Sequence, residues 1–403
     1  MPADQPPARI GARIALARRI DGRTQRQLAR AANVSLSLVK AVEQGRAPAL
    51  TAFIAATARA LGVDHAQLQG QPHRVEDRAD QRIHAVIPAL RREIVAYRLP
   101  PETGIRPRSR PALTQAVAKV SALRHAAALD TLGAGLPALL AEIRAAIAEA
   151  DGRERELLFG LLAEAYAAAG QVAWKLGYPD LSSLTTERVE WAAAASGDPL
   201  ARAAADFYLA GELIATAEWR GALTFLDDAR ARVEDRLTAG DEAAYAMCGV
   251  LHLKSGLAAA RAGDADTSDA HLAEARHLAR HVTTGSDHYR LAFDTDSVDI
   301  WAVGLAVERQ DGTEAVNRSQ GLRFASTTPK ERIGHHWIDL ARGWQLHGNR
   351  EKALSTLQQA RRTAPQQVRY HPQVRETLLT LAEHDRRRSD SLAGFARWIG
   401  IRL

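Results

Sequence analysis

A single cysteine, Cys248, stands in the 403 residues. That excludes an intramolecular disulfide and a cysteine-rich metal site, and it fits a reducing compartment. Aromatics are scarce at 5%, valine and isoleucine are thinly spread, and alanine dominates. This balance favours helix throughout. Low-complexity sequence is scarce too. With 46% apolar and 25% charged residues, the chain can fold around a substantial core, and its length allows two or three domains. No run of about 18 apolar residues marks a membrane span. The first residues, MPADQPPARIGARIALARR, lack the apolar segment and small-residue cleavage site of a secretion signal. The expectation is a soluble, cytoplasmic protein with no membrane partner.

Catalytic signatures are missing as well. There is no GxxxxGK[ST] phosphate loop, and no GxGxxG follows a strand; the GAG at 133–135 has neither context nor continuation. His277 and His281 stand one helical turn apart, with His271 and His288 nearby, a spacing that can hold zinc. No HExxH accompanies them, and a packed or solvated helix face is the more ordinary reading. His335 and His336 have no matching carboxylate and nucleophile set. The chain reads as a binding protein, not an enzyme, with no cofactor and no metal.

The charge that is present lies unevenly. Residues 1–110 carry 19 Lys and Arg against 9 Asp and Glu, while residues 111–403 carry 34 against 38. A basic head on a slightly acidic body points the head at a polyanion, without choosing between DNA, RNA and a membrane surface.

Residues 9–69 predict four or five short helices. IGARIALARRI sets Ile10, Ile14, Leu16, Ala17 and Ile20 near one face, and DGR breaks it. Thr24 and Gln27 have the spacing of a capping box. Asn33 sits where a left-handed backbone is needed, which Asn tolerates. Ser35 is a good N-cap for a helix over 36–44, and Gly45 a good stop. LTAFIAATARALGV is amphipathic, and DHAQL starts a last turn. Residues 76–98 carry an apolar stripe of Ile83, Val86, Ile87, Leu90, Ile94 and Tyr97, on a helix that Pro88 can kink. LPPETGIRPRSRP then reads as an exposed linker. The expected division is a head at 1–75, a connecting helix and linker at 76–111, and a helical body at 112–403.

Within the head, Leu28, Ala29, Val34, Val39 and Val42 fall where two short helices must pack on each other. Positions 36, 37, 40, 41 and 44 then share the opposite face of the second helix. The stretch TQRQLARAANVSLSLVKAVEQGRA resembles the Cro/C1-type (XRE family) helix-turn-helix. It shares the Thr-Gln start, the Leu-Ala pair, the turn, the spaced β-branched core and the Glu-x-Gly exit. LTAFIAATARALGVDHAQL is similar to that family's fourth and fifth helices. The resemblance covers about residues 9–70 and implies a five-helix domain that binds double-stranded DNA. Mapped onto this sequence, it implies contacts from Gln25, Arg26, Ser35, Leu36, Ser37, Lys40, Ala41, Gln44 and Arg46. Arg9, Arg13 and Arg23 are further phosphate candidates. The sequence departs from the family at Leu36, Ser37 and Ala41, where it usually places larger polar readers. Leu36 and Ala41 suit thymine methyls, and Lys40 suits a guanine edge or a phosphate.

From Ala112 onward, amphipathic helices follow one another without strand signals. In residues 337–365 the series Trp337, Leu340, Ala341, Trp344, Gly348, Ala353, Leu357, Ala360, Pro365 resembles the tetratricopeptide repeat. Weaker copies run through Leu209–Ala229, through Gly256–Ala275 and around Ala315. Their equivalent positions Ala222, Ser268, Ala315 and Ala353 are 46, 47 and 38 residues apart. The usual period is about 34, so an irregular solenoid is expected. Such a stack makes a concave groove, for which Asp206, Tyr208, Tyr245, Trp301, Asn317, Arg318 and His336 are candidate lining residues.

The fold expected is therefore all-α: a helix-turn-helix head on a tetratricopeptide-like body. The combination is similar to regulators common in actinobacteria and to peptide-responsive quorum-sensing regulators. It implies a DNA-binding transcriptional regulator, working as a homodimer, whose body senses a peptide, small ligand or protein. Residues 76–98 are expected to couple the parts or to dimerise. The alternatives are an interaction scaffold in which the head merely docks, and a peptide-responsive receptor of the quorum-sensing type.

Overall fold

The computed structural model describes residues 9–75, 77–99, 104–384 and 390–401, and among these every regular element is helical. The head holds α1 (Ile10–Ile20), α2 (Gln25–Ala31), α3 (Leu36–Glu43), α4 (Thr51–Leu61) and α5 (His65–Gln69). Local chemistry sets their ends. Thr24 and Gln27 close a full capping box at α2, and the Ser35 hydroxyl accepts from the Leu38 amide at 3.1 Å. Asn33 takes φ 52° in the turn between them. Ile10, Ile14, Leu28, Val39, Val42 and Phe53 form the core. Gly11 is required where α1 crosses α3, because a Cβ there would lie 2.0 Å from the Val42 carbonyl oxygen.

The connecting stripe folds differently from expectation. Two helices, α6 (Arg78–His84) and α7 (Ile87–Val95), replace one, and Pro88 stands in the first turn of α7. That turn is where a proline's missing N–H does no harm. Ile83, Ile87, Leu90 and Ile94 are buried in the largest core of the body, and Tyr97 packs edge-on against Trp191 at 4.9 Å. The stripe is thus covered within one chain. Of the linker that follows, residues 100–103 lie outside the described residues. Beyond them, Arg108 is fixed to Glu142 through a two-pronged ion pair.

The body is a series of hairpins. The pairs are α8 (Arg110–His125) with α9 (Leu129–Glu149), α10 (Gly152–Lys175) with α11 (Pro179–Ala195), and α12 (Pro199–Ala215) with α13 (Trp219–Ala231). After the short α14 (Glu234–Thr238) come α15 (Glu242–Ala262) with α16 (Ala265–Ala279), and α17 (Thr295–Glu308) with α18 (Gly312–Ser319). The last pair is α19 (Lys330–Leu346) with α20 (Arg350–Thr363). Three further helices, α21 (Pro365–Tyr370), α22 (Pro372–His384) and α23 (Asp390–Trp398), follow it. Every hairpin turns on one residue with positive φ, in order Ala127, Gly177, Ala217, Gly263, Gln310 and Gly348. The RRR at 386–388 lies outside the described residues.

The series curls until its late members meet its early ones. Lys175 on α10 donates to Glu331 on α19 and to Gln367, each at 2.8 Å. The head is seated on this curl. Arg59 on α4 donates to the Ala217 carbonyl at 2.9 Å and pairs with Glu218. Thr51 reaches Glu308, and Trp219 packs against the head's core. Two helices, α9 and α10, match a membrane span in length and composition, but more than half of the apolar stretch of each is buried inside the fold, as in an ordinary core helix.

Candidate nucleic-acid interface and the cavity behind it

The outer face of α2 and α3 follows from which residues the core takes. Val39 and Val42 turn inward, which leaves Ser37, Lys40 and Gln44 exposed, together with Arg26, Ser35 and Arg46 at the helix ends. Leu36 is half-buried and leans on the head core. Ala41 is half-buried as well. Gln25 donates to Glu43 at 2.8 Å, and Arg18 grips the same carboxylate through two bonds of 2.6 and 2.8 Å. Burial alone would raise the Glu43 carboxyl, but Arg18 and Gln25 outweigh it and hold it below the ordinary value. This knot ties α1, α2 and α3 into one rigid unit. Arg46 donates to Gln44. Lys40 and Arg26 form no hydrogen bond or ion pair among the described residues.

Three arginines offered as phosphate candidates are engaged elsewhere. Arg9 binds the Leu379 carbonyl and Glu383 on α22. Arg13 donates to the Leu68 carbonyl at 2.6 Å. Arg23 donates to the Ala60 carbonyl and pairs with Asp21, both at 2.6 Å. The first two tie the head to the body or to itself, a role their charge alone did not reveal.

Behind the head lies a cavity of about 390 Å³. Thr51, Ile54, His65 and Gln69 of the head close one side, and helices α10, α11, α12, α15, α17 and α19 supply the rest. Its wall carries buried charge. Burial pushes the Glu308 carboxyl up, but Arg261 at 2.9 Å and Arg342 at 3.1 Å outweigh that and hold it at about 2. Burial lowers His335 to about 4, keeping it neutral. Lys254 is pushed down to about 7, first by burial and then by Arg261 and Arg332.

Of the expected groove residues, Tyr208 and Trp301 line this cavity, and the other five do not. Asp206 is buried against Arg232 at 2.6 Å. Tyr245 stacks on His281 at 4.5 Å and donates to the Leu237 carbonyl. Asn317 is exposed, while Arg318 is held by Asp269 and Glu314. His336 is buried between the rings of Phe324 and Trp337. Helical spacing put these side chains on one face of each helix, but the tight curl decides which face lines the interior. Lys254, Glu308 and Glu331 were missed because charged residues on alanine-rich helices read as solvated. Among the described residues, no group of three or more metal-ligating side chains gathers.

The family model described as a helix-turn-helix domain matches residues 9–69, which is the head and well under half of the chain. A comparison with curated proteins finds no match.

Proposed function

We propose that the protein is a DNA-binding transcriptional regulator whose head contacts duplex DNA and whose helical body senses a ligand. The observation that carries the reading is the exposed outer face of α2–α3, with Lys40 and Arg26 unpaired among the described residues, on a domain that matches the helix-turn-helix family. In this reading Lys40, Arg26 and Arg46 meet phosphates or guanine edges, and the first-turn amides of α3 donate to a phosphate oxygen. Leu36 and Ala41 contribute apolar contact only, so specificity from this helix is modest. Two heads in a homodimer would supply the rest of the affinity.

The body's hairpins, with the small residues Ala341 of α19 and Ala353 of α20 buried in one core, support the tetratricopeptide-like assignment. The cavity's volume favours a small ligand over a long peptide as the signal. The protein then acts by binding rather than catalysis, in the cytoplasm where its DNA is. A scaffold remains the second reading, favoured by the many contacts through which the head docks on the body.

Fluorescence anisotropy of the full chain with a labelled duplex, across a series of salt concentrations, tests this. DNA binding requires an affinity that falls steeply with salt, because neutralising phosphates releases counterions. An affinity absent even at low salt sinks the regulator and leaves the scaffold.

A further inference from the structure

The interior cavity holds a cation with no anionic partner among the described residues. Lys254 projects from α15 into the space beside Gly211 of α12, where even a Cβ on that glycine would come within 3.0 Å of Nζ. Its ammonium lies 4.3 Å from the centre of the Phe207 ring. No carboxylate pairs with it among the described residues. The other cations of the wall are engaged: Arg261 and Arg342 by Glu308, Lys175 by Glu331 and Gln367, and Arg332 by the Leu291 carbonyl. Lys254 is half-buried, and part of its surface faces the cavity. A buried charge left unpaired destabilises a fold. An anion in the cavity would remove that penalty.

The cavity defines the rest of the occupant. Its volume is that of an ordinary small-molecule pocket. Phe207 and Trp301, with ring centres 6.5 Å apart, stand edge to face on its wall, and Leu257 and Leu305 extend the apolar surface. One free ammonium matches one negative charge. Arg261 and Arg342 already share Glu308, which leaves Lys254 as the cation on this wall with a full charge to offer. We propose that the cavity between head and body is a binding site for a small monocarboxylate with an apolar or aromatic body, its carboxylate paired with Lys254. This rests on the reading that the body senses a ligand. Because head and body both line the cavity, such a ligand bridges the two.

Thermal melting and titration calorimetry of the full chain test it, with phenylacetate, indole-3-acetate and octanoate as probes. Phenylacetamide serves as the neutral isostere, and inorganic phosphate as the bare anion. At least one carboxylate is expected to raise Tm at millimolar concentration, since a ligand of the native state stabilises it. The amide and phosphate are expected to leave Tm unchanged. Lys254→Met and Lys254→Gln should weaken carboxylate binding about tenfold or more while melting no lower than the parent, which separates lost binding from lost folding. No shift with any carboxylate, equal binding of the amide, or undiminished binding by both variants overturns the proposal. DNA binding is measured without the probes. Intact DNA binding with no carboxylate binding therefore removes this site alone, and the reverse removes the DNA reading alone.

Discussion

Lys254 works against the fold that holds it. Burial lowers its folded pKa to about 7 from an ordinary 10.5, so between these values the folded chain holds fewer protons than the unfolded chain. Wild-type stability therefore gains from this residue as pH rises through that window, and the penalty is complete below pH 7. Lys254→Met should raise the unfolding free energy by roughly 1–3 kcal/mol at pH 6, the cavity face sparing part of the full charge-burial cost. Urea denaturation should show that gain shrinking at pH 9. Glu308 has the opposite sign. Held at about 2 between Arg261 and Arg342, it contributes stability above its unfolded value of 4.5, and this is lost as pH falls through about 2. Glu308→Gln leaves two buried guanidiniums without their carboxylate. It should cost about 3–5 kcal/mol at neutral pH, with the difference from wild type closing in acid denaturation curves.

The head's elements are fixed by two close approaches. Gly11 lets α1 cross α3 at backbone contact, so Gly11→Ala should destabilise the head by about 1–3 kcal/mol through overpacking, read as increased hydrogen exchange of α1–α3. The reading face is independent of that contact. Lys40→Ala and Arg26→Ala should each weaken DNA binding across all sequences and reduce the salt slope by about one, without lowering Tm. Much of this was legible in the sequence, because it rests on local chemistry. The Thr24–Gln27 box, the Ser35 cap and the left-handed Asn33 follow from residue types a few positions apart. The hairpin turns were legible only in part. Gly263 and Gly348 announce a left-handed residue, whereas Ala127, Ala217 and Gln310 take the same conformation with nothing in their side chains to signal it. The apolar stripe of α6 and α7 was visible, but periodicity says that a face is apolar, not what covers it. Asp206 and His336 fail as groove residues for the same reason, since their surroundings depend on the curl of distant helices.

At the scale of the whole molecule, the question is what holds the head against the body. The ion pairs are weak candidates. Arg59 and Glu218 are each about half exposed, at 56% and 49%, and such pairs contribute about 0–1 kcal/mol. Trp219 is the stronger one. It begins α13, packs against the head's core on one side and meets Ile214, Ala222 and Ala258 on the other. Its indole N–H is buried without a partner among the described residues, so its contribution is apolar contact rather than hydrogen bonding. Trp219→Ala should therefore loosen the seat by about 2–3 kcal/mol, less than a full core deletion because the ring is only half-buried. Arg59→Ala should have a much smaller effect. Hydrogen exchange of the full chain checks the comparison by region. Faster exchange in α4 and α5, with α19 and α20 unchanged, means the head has lifted while the body stays folded. The same variant should then admit the carboxylate probes more freely but hold them less tightly, since the helices that close one side of the cavity are those that have moved. If Arg59→Ala instead loosens the head as much as Trp219→Ala, the docking is electrostatic, and raising the salt concentration alone should open the cavity.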